Sequence, residues 1–447
     1  MDRPALTRKV VIYYALPYLT HAVVNLPMAL FIPAFYADDL ALPLAAVGAA
    51  IAASRVLDVA TDILIGIWSD RLRTRWGRRK PWIAVGTPLL MLATWMLFVP
   101  VGQVSVTYLL VWASFLFLVT TLVDLPHKAW GAELSSDYTE RTQVAAWREG
   151  FGVLGQILFL LLLLVMGLLG HSETRDQLLA IALVIVISLP LLVSVALAKA
   201  PEFPPEELGG KRLGGWQALR IILRNNAFMR TLCALLLFGS AVIIQATLHK
   251  LVLTHVVGRP ELFASMILLE NLASLAAVPF WMRLSNHLGK HRALTFAALW
   301  IGFWSLGFPL VGQGDTVLYI TLIVLRGSSL ASIFLLANSI AADVVDHDIL
   351  ASGRQRTGLF FAIWGIAIKF AIALGVFMGT ALPAAFGFEP SAATQTADAK
   401  FWLMIIYGWL PCLIMALGAP PLWNFPIDHV RQKQLREQIA SRRTNVT

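Results

Sequence analysis

Four residues with chemistry to offer stand close together in an otherwise apolar stretch: Arg55, Asp58, Thr61 and Asp62. Positions 55, 58 and 62 are spaced i, i+3 and i+7, so on a helix they share one face. Two carboxylates one turn apart repel, which drives one of them to hold a proton unless a cation sits between them. Hard cations such as Na⁺ take oxygen ligands, and two carboxylates with the Thr61 hydroxyl supply them. Thr121 and Asp124 lie at similar depth in a second apolar run. The structural alternative is an Arg55–Asp58 ion pair beside a packing Asp62, and Arg55 reads as such a partner rather than as a ligand.

A second set is cationic. Lys128 follows Asp124 by one helical turn, Arg148 sits early in another apolar run, and Lys369 lies deep among Ile366, Ala367, Ile368, Phe370 and Ala371. Arginine and lysine donors suit hydroxyl, carboxylate, sulfonate or phosphate oxygens. They also suit internal pairs, Asp124 with Lys128 and Arg148 with Glu149. Asn25, Gln245 and His249 are further polar groups in apolar runs, placed to touch a substrate or to pack helices.

The elements that carry these residues must lie in a membrane. Of 447 residues, 58% are hydrophobic and 14% are charged, against about 25% charged in soluble globular chains. The mean hydropathy is +0.73. Too few charges remain to coat soluble cores, so a soluble enzyme, a disordered chain and a disulfide-stapled secreted domain are excluded. Cys233 and Cys412 both fall in apolar runs, which implies neither a disulfide framework nor a metal cluster. The net charge of +9 comes from short inter-helix loops and signals topology rather than nucleic acid. The apolar run from Val10 is too long for a cleavable signal peptide and lacks a small-residue cleavage site.

A span needs about 20 apolar residues. Twelve windows of that kind centre near Val23, Leu57, Met91, Leu116, Leu160, Val186, Leu237, Leu268, Phe303, Val324, Ala371 and Leu413. Helices are required, because lipid-facing backbone must bond within itself and no barrel-type alternation is present. An ionisable group at mid-bilayer costs about 2.5–3.5 kcal/mol or more, so each charge placed there points to function. Arg and Lys gather before span 1 (Arg3, Arg8, Lys9), after span 2 (Arg71 to Lys80), between spans 6 and 7, and in the tail (Arg431 to Arg443). The alternate loops near Asp38, Gln103 and Gly314 carry none, which predicts cytoplasmic termini in a bacterial inner-membrane type of cell membrane.

The longest polar internal stretch, with Pro201, Pro204, Pro205 and four glycines from Gly209 to Gly215, has six spans on either side. The expected organisation is an N-terminal six-helix bundle with the cation site (1–199), a cytoplasmic linker (200–226), a C-terminal six-helix bundle (227–430) and a basic tail (431–447). An internal echo supports duplication: Trp68-Ser-Asp-Arg-Leu-Arg-Thr-Arg-Trp-Gly-Arg-Arg-Lys80 after span 2 and Arg283-Leu-Ser-Asn-His-Leu-Gly-Lys-His-Arg292 after span 8.

Twelve spans, a cytoplasmic linker and this paired loop resemble the major facilitator superfamily. Asp70-Arg-Leu-Arg-Thr-Arg-Trp-Gly-Arg-Arg-Lys-Pro-Trp82, with Arg55-Val-Leu-Asp-Val-Ala-Thr-Asp62 before it and Ala342-Asp-Val-Val-Asp346 in the second half, is similar to the glycoside–pentoside–hexuronide:cation symporters of the melibiose-permease type. The resemblance covers essentially the whole chain. It implies an all-α polytopic membrane protein, twelve transmembrane helices in two pseudo-symmetric six-helix bundles, working as a monomeric secondary transporter. It implies that Asp58, Asp62 and Thr121 hold the coupling cation. Thr61 stands where the melibiose type has an asparagine, which leaves Na⁺, Li⁺ or H⁺ as the ion.

By the same resemblance Asp124, Arg148 and Lys369 line the sugar cavity or connect it to the cation site. Span 1 of the galactoside carriers presents a Lys-Asp pair; here His21 and Ala22 hold those positions, while cavity aromatics of the type member fall on Lys128 and Phe334. The implied cavity is more positive and less suited to stacking a sugar. An anionic substrate fits better: a hexuronide, a sulfo-sugar, or the head group of a lysophospholipid such as animal relatives carry. His21 reads equally as a hydrogen-bonded packing residue.

Asp70, Arg71, Arg78 and Arg79, with Arg283, Lys290 and Arg292 in the other half, can pair with helix ends and with Asp343, Asp346, Arg354 and Arg356 at the cytoplasmic face. Such pairs form a two-state gate. No phosphate loop, zinc motif or nucleophile elbow is present, so the reading is a transporter and not an enzyme, with no cofactor beyond a coupling Na⁺ or H⁺. The expected function is cation-coupled symport of a sugar-like anionic solute. The alternative is a carrier of a lysophospholipid-like amphiphile, and the remote one a membrane sensor or membrane-embedded enzyme. Partners are the solute, the cation and the bilayer, with no nucleic acid.

Overall fold

The computed structural model describes residues 6–426 except 22, 25, 72, 73, 136, 137, 172, 204–223, 353–356 and 393. Twelve of its helices are long and apolar enough to cross a membrane. Spans 1 to 6 are Arg8–Leu30, Leu44–Gly66, Lys80–Phe98, Val106–Gly131, Gln143–Leu168 and Thr174–Lys199. Spans 7 to 12 are Asn226–Val257, Pro260–Leu288, Lys290–Leu310, Thr316–Val345, Ala362–Ala385 and Ala397–Trp423. The centres of all twelve windows read from hydropathy fall inside these spans. Large apolar side chains such as Leu191, Phe303 and Leu413 are exposed on their outer faces, as expected where the surroundings are acyl chains rather than water.

Local sequence explains where several spans begin. Ser105, Asn225 and Thr396 each accept a hydrogen bond from a backbone N–H three residues on, capping spans 4, 7 and 12. Proline inside spans 3, 4, 6, 8, 11 and 12 is absorbed without ending the helix.

Spans 1 and 10 are interrupted. Span 1 runs as short pieces, Arg8–Ala15, Tyr18–His21, Leu26–Leu30 and Ile32–Ala34, before a π-helical turn at Phe35–Asp39. Pro17 lacks an N–H and its ring crowds the preceding turn, which accounts for the first break. Span 10 stops at Gly327 and restarts at Leu330, where Ser274 of span 8 accepts a hydrogen bond from the Ala331 N–H.

The chain forms two compact units, one of Met1–Gly209 with Pro260–Ala264 and Glu389–Ala393, the other of the remainder. Within the first, span 2 packs on span 4, span 3 on spans 4 and 6, and span 1 on spans 5 and 6. Within the second, span 9 packs on spans 10 and 12, and span 7 on spans 11 and 12. Adding six to most first-unit pairs returns a second-unit pair, the packing counterpart of the repeated loop.

Span 1 is fastened to span 4 in both directions. The Tyr14 hydroxyl donates to the His127 carbonyl at 3.0 Å, and His127 Nε2 donates back to the Tyr14 carbonyl at 2.9 Å. The two rings stack at 4.4 Å.

Candidate cation and substrate site

Span 2 turns Asp58 and Asp62 toward span 4, where Thr121 meets both. The Thr121 hydroxyl lies 3.0 Å from Asp58 Oδ1 and 2.8 Å from Asp62 Oδ1. One hydroxyl carries one proton, so it donates to one carboxylate while its oxygen sits within reach of both. Asp58 and Thr121 are buried and Asp62 is half-buried. Arg55 Nη1 lies 3.5 Å from Asp58 Oδ2, and its guanidinium rests on the Phe117 ring at 3.6 Å. The Thr61 hydroxyl donates to the Asp58 carbonyl at 2.9 Å, back along its own helix. Two carboxyl groups and one guanidinium thus meet here.

One turn along span 4, Asp124 gathers three partners. Its Oδ2 takes Lys128 Nζ at 2.6 Å, its Oδ1 accepts from the Tyr18 hydroxyl at 2.8 Å, and His21 Nε2 lies 3.6 Å away. Arg148 donates to Glu149 at 2.6 Å and stands over the Tyr18 ring at 5.2 Å. Two buried nitrogens here, His21 Nδ1 and Arg148 Nε, have no hydrogen-bond partner. Buried polar atoms are normally satisfied, so unspent ones mark room for a ligand or water. Gly155 lets span 5 come this close, since a Cβ there would meet the Leu19 carbonyl oxygen at 1.8 Å. Asn25 lies outside the described residues.

In the second unit Gln245 is fully enclosed. Its amide donates to the Ser305 hydroxyl at 2.9 Å and to the Tyr407 carbonyl at 3.1 Å, and its oxygen accepts from Arg326. His249 Nδ1 meets the Tyr407 and Tyr319 hydroxyls at 2.9 and 3.1 Å. Both residues are thus tied into the packing of span 7 against spans 9, 10 and 12. Lys369 and Phe334 are half-buried on spans 11 and 10.

Sequence reading passed over Glu270 and Arg326, which form a buried ion pair between spans 8 and 10. Each is a lone charge in an apolar run, the same signal that singles out Asp58. Tyr18 was passed over as well, its hydroxyl hidden among many aromatic residues.

The basic loops pair within their own units. Arg78 and Arg79 both reach Glu133 at the end of the span 4 helix, at 2.6 and 2.9 Å, and Arg79 also donates to Ser69 at 2.8 Å. Glu202 accepts from the backbone N–H groups of Arg79 and Lys80 at 2.7 and 3.2 Å. In the second unit Lys290 reaches Asp343 at 2.6 Å, Arg292 stands over the Trp423 ring at 5.8 Å and Arg283 is exposed. The backbone of Asp70, Arg71 and Asp346 is helical; their side chains, and the whole of Arg354 and Arg356, lie outside the described residues.

Residues 13–429 match the family described as MFS/sugar transport protein. The chain belongs to this family. It is therefore a major facilitator transporter of the glycoside–pentoside–hexuronide:cation symporter type, a cation-coupled carrier of small molecules and not an enzyme. The family member is 21% identical to the sodium-dependent lysophosphatidylcholine symporter 1 of Xenopus tropicalis, over 96% of this chain and 89% of the relative. It is 22% identical to the glucuronide carrier protein homolog of Escherichia coli strain K12, over 93% and 92%. Among solved structures it resembles a bacterial homolog of the human lysosomal transporter Spinster, in an inward-facing, occupied conformation. That likeness has a TM-score of 0.67 and 11% identity, over 97% of this chain and 99% of the other, and it shows the twelve-helix fold.

Proposed function

We propose that this symporter couples a monovalent cation, Na⁺ or H⁺, to an anionic sugar-like solute by alternating access. The observation that carries it is the Thr121 hydroxyl standing between Asp58 and Asp62, so that three oxygen-bearing side chains converge beside Arg55. The excess negative charge there is neutralised by the travelling ion. Thr61 adds a fourth oxygen only after its hydroxyl turns from the Asp58 carbonyl. Asp124 accepts solute hydroxyls, while His21, Lys128 and Arg148 take its anionic group, with Lys369 assigned to the solute in the second unit. Asn25, Gln245, His249 and Phe334 keep secondary places in this assignment. Asp124 lies one turn from Thr121, so filling the cation site steadies the helix that bears the solute's acceptor. Ion and solute then raise each other's affinity by the same factor.

In this proposal the termini face the cytoplasm, the two bundles span 1–199 and 227–430, and the Arg78/Arg79–Glu133 and Lys290–Asp343 pairs belong to the cytoplasmic gate. The carrier acts as a monomer. The deciding experiment measures uptake of a glucuronide into vesicles driven by a Na⁺ or a proton gradient. Asp62→Asn abolishes accumulation while membrane insertion is kept; unchanged uphill uptake in that variant removes the assignment.

A groove favours the second reading, an amphiphile as cargo. Leu19, Thr20 and Val23 of span 1, Leu158, Phe159 and Leu162 of span 5 and Ile185 of span 6 line a groove of about 250 Å³. Thr20 and Val23 line it on either side of His21, which faces the Asp124 cluster. An acyl chain in the groove would place an anionic head group at the cationic cluster. Competition of glucuronide uptake by a lysophospholipid, and its absence with a free sugar acid of equal charge, separates the two cargoes.

A further inference from the structure

Each unit holds a buried arginine–carboxylate pair where its second and fourth spans meet, and the two differ in charge. In the first, Arg55 faces Asp58 with Asp62 one turn on. In the second, Glu270 of span 8 faces Arg326 of span 10, and the sum is zero. The Arg326 guanidinium donates to the Glu270 carboxylate and to the Gln245 side-chain oxygen. All three residues are buried.

The repeat says what this place is. Ser54 stands fifteen residues before Ser69, and Glu270 fifteen before Ser285; Ser69 and Ser285 each return a hydrogen bond to their own helix at the repeated loop. In the first unit Ser54 meets Ser114 of span 4 at 3.2 Å. In that register a neutral hydroxyl at 54 stands where the second unit has the acid at 270. The spans also close on each other there: a Cβ on Gly327 would lie 2.6 Å from Glu270 Cγ and 3.2 Å from its carbonyl oxygen. Only a glycine at 327 admits this contact.

We propose that Glu270 and Gln245 form a cation locus permanently filled by the chain itself, with the Arg326 guanidinium in the place of a mobile ion. A buried carboxylate must be neutralised by a proton, an ion or a tethered charge. Removing only the tethered charge frees the carboxylate and amide oxygens for a small hard cation. The locus leaves the second unit without an exchangeable ion, so coupling runs through the first unit alone. That last step rests on the cation reading above; the latent site itself does not.

The test is ion-dependent thermal stability of the purified full-length carrier, titrated with NaCl, LiCl or acid against choline chloride of equal ionic strength. Arg326→Ala is expected to acquire a second saturable stabilisation on top of the single response shared by wild type and Arg326→Lys. It reaches about 3 °C in Tm at a hundredfold excess of ion over its dissociation constant. Glu270→Gln/Arg326→Ala loses it. A response to Na⁺ or Li⁺ at fixed pH identifies a metal ion, and one confined to acidification a proton; either supports the locus. A folded Arg326→Ala with the wild-type ion response overturns it, as does loss of the wild-type response in Glu270→Gln alone.

If Arg326→Ala does not insert, two further variants decide. Arg326→Gln keeps an amide donor for Gln245 without the charge and is expected to gain the same response. The transposed pair Glu270→Arg/Arg326→Glu is expected to insert at wild-type levels with the wild-type ion response, and its failure to do so overturns the proposal. A wild type with no ion response at all removes the first-unit reading and leaves the Arg326 comparison standing.

Discussion

Thr121 Oγ1 lies 2.8 Å from Asp62 Oδ1, across the seam between spans 4 and 2. Thr121→Val keeps the shape of the side chain and deletes the shared oxygen. Losing one hydrogen bond to a charged group costs about 1.5–3 kcal/mol, which is about a tenfold or greater rise in the half-saturating ion concentration. Thr121→Ser restores the hydroxyl and recovers most of the affinity. Ion titration of uptake checks both.

Lys128 holds Asp124 from a side chain that is 44% exposed. Lys128→Gln is expected to weaken anionic solutes more than neutral analogues. For a partly solvated charge the loss is about 1 kcal/mol, a severalfold rise in apparent KM for a glucuronide against little change for the corresponding glycoside. Equal effects on both would show that Lys128 only supports Asp124.

Arg78 and Arg79 converge on Glu133 at the end of the span 4 helix. Glu133→Gln leaves two guanidinium groups sharing a neutral acceptor and is expected to destabilise the purified carrier by about 1–3 kcal/mol. In the second unit, transposing the charges as Lys290→Asp/Asp343→Lys is expected to recover activity that Lys290→Ala loses. Thermal unfolding and uptake measure the two arms.

Gly155 faces the Leu19 carbonyl oxygen with no space for a methyl group. Gly155→Ala forces spans 1 and 5 apart and is expected to cost about 1–3 kcal/mol, the range for overpacked contacts. The same substitution at Gly150, which has open space around it, is expected to be neutral. Melting temperatures of the two variants make the comparison.

The twelve spans are legible because each is a long apolar run, and a bilayer leaves such a run only the helix. The spacing of Asp58 and Asp62 is legible for the same reason: a helix places them on one face. Their meeting with Thr121 depends on which helices pack, which no periodicity states. Thr61 shows the limit on a smaller scale. Its hydroxyl bonds the carbonyl three residues back, a local option open to any threonine in a helix. Gln245 and His249 find partners on spans 9, 10 and 12, far away in the chain. Glu270 and Arg326 are visible as lone charges in apolar runs, but their pairing awaits the close approach that Gly327 permits.

Tyr14 and His127 exchange two hydrogen bonds across one stacked contact. The piece of span 1 before Pro17 is thereby riveted to span 4, which also carries Thr121 and Asp124. Beyond Pro17, Tyr18 and His21 reach the same helix through Asp124, so both sides of the break take their position from span 4.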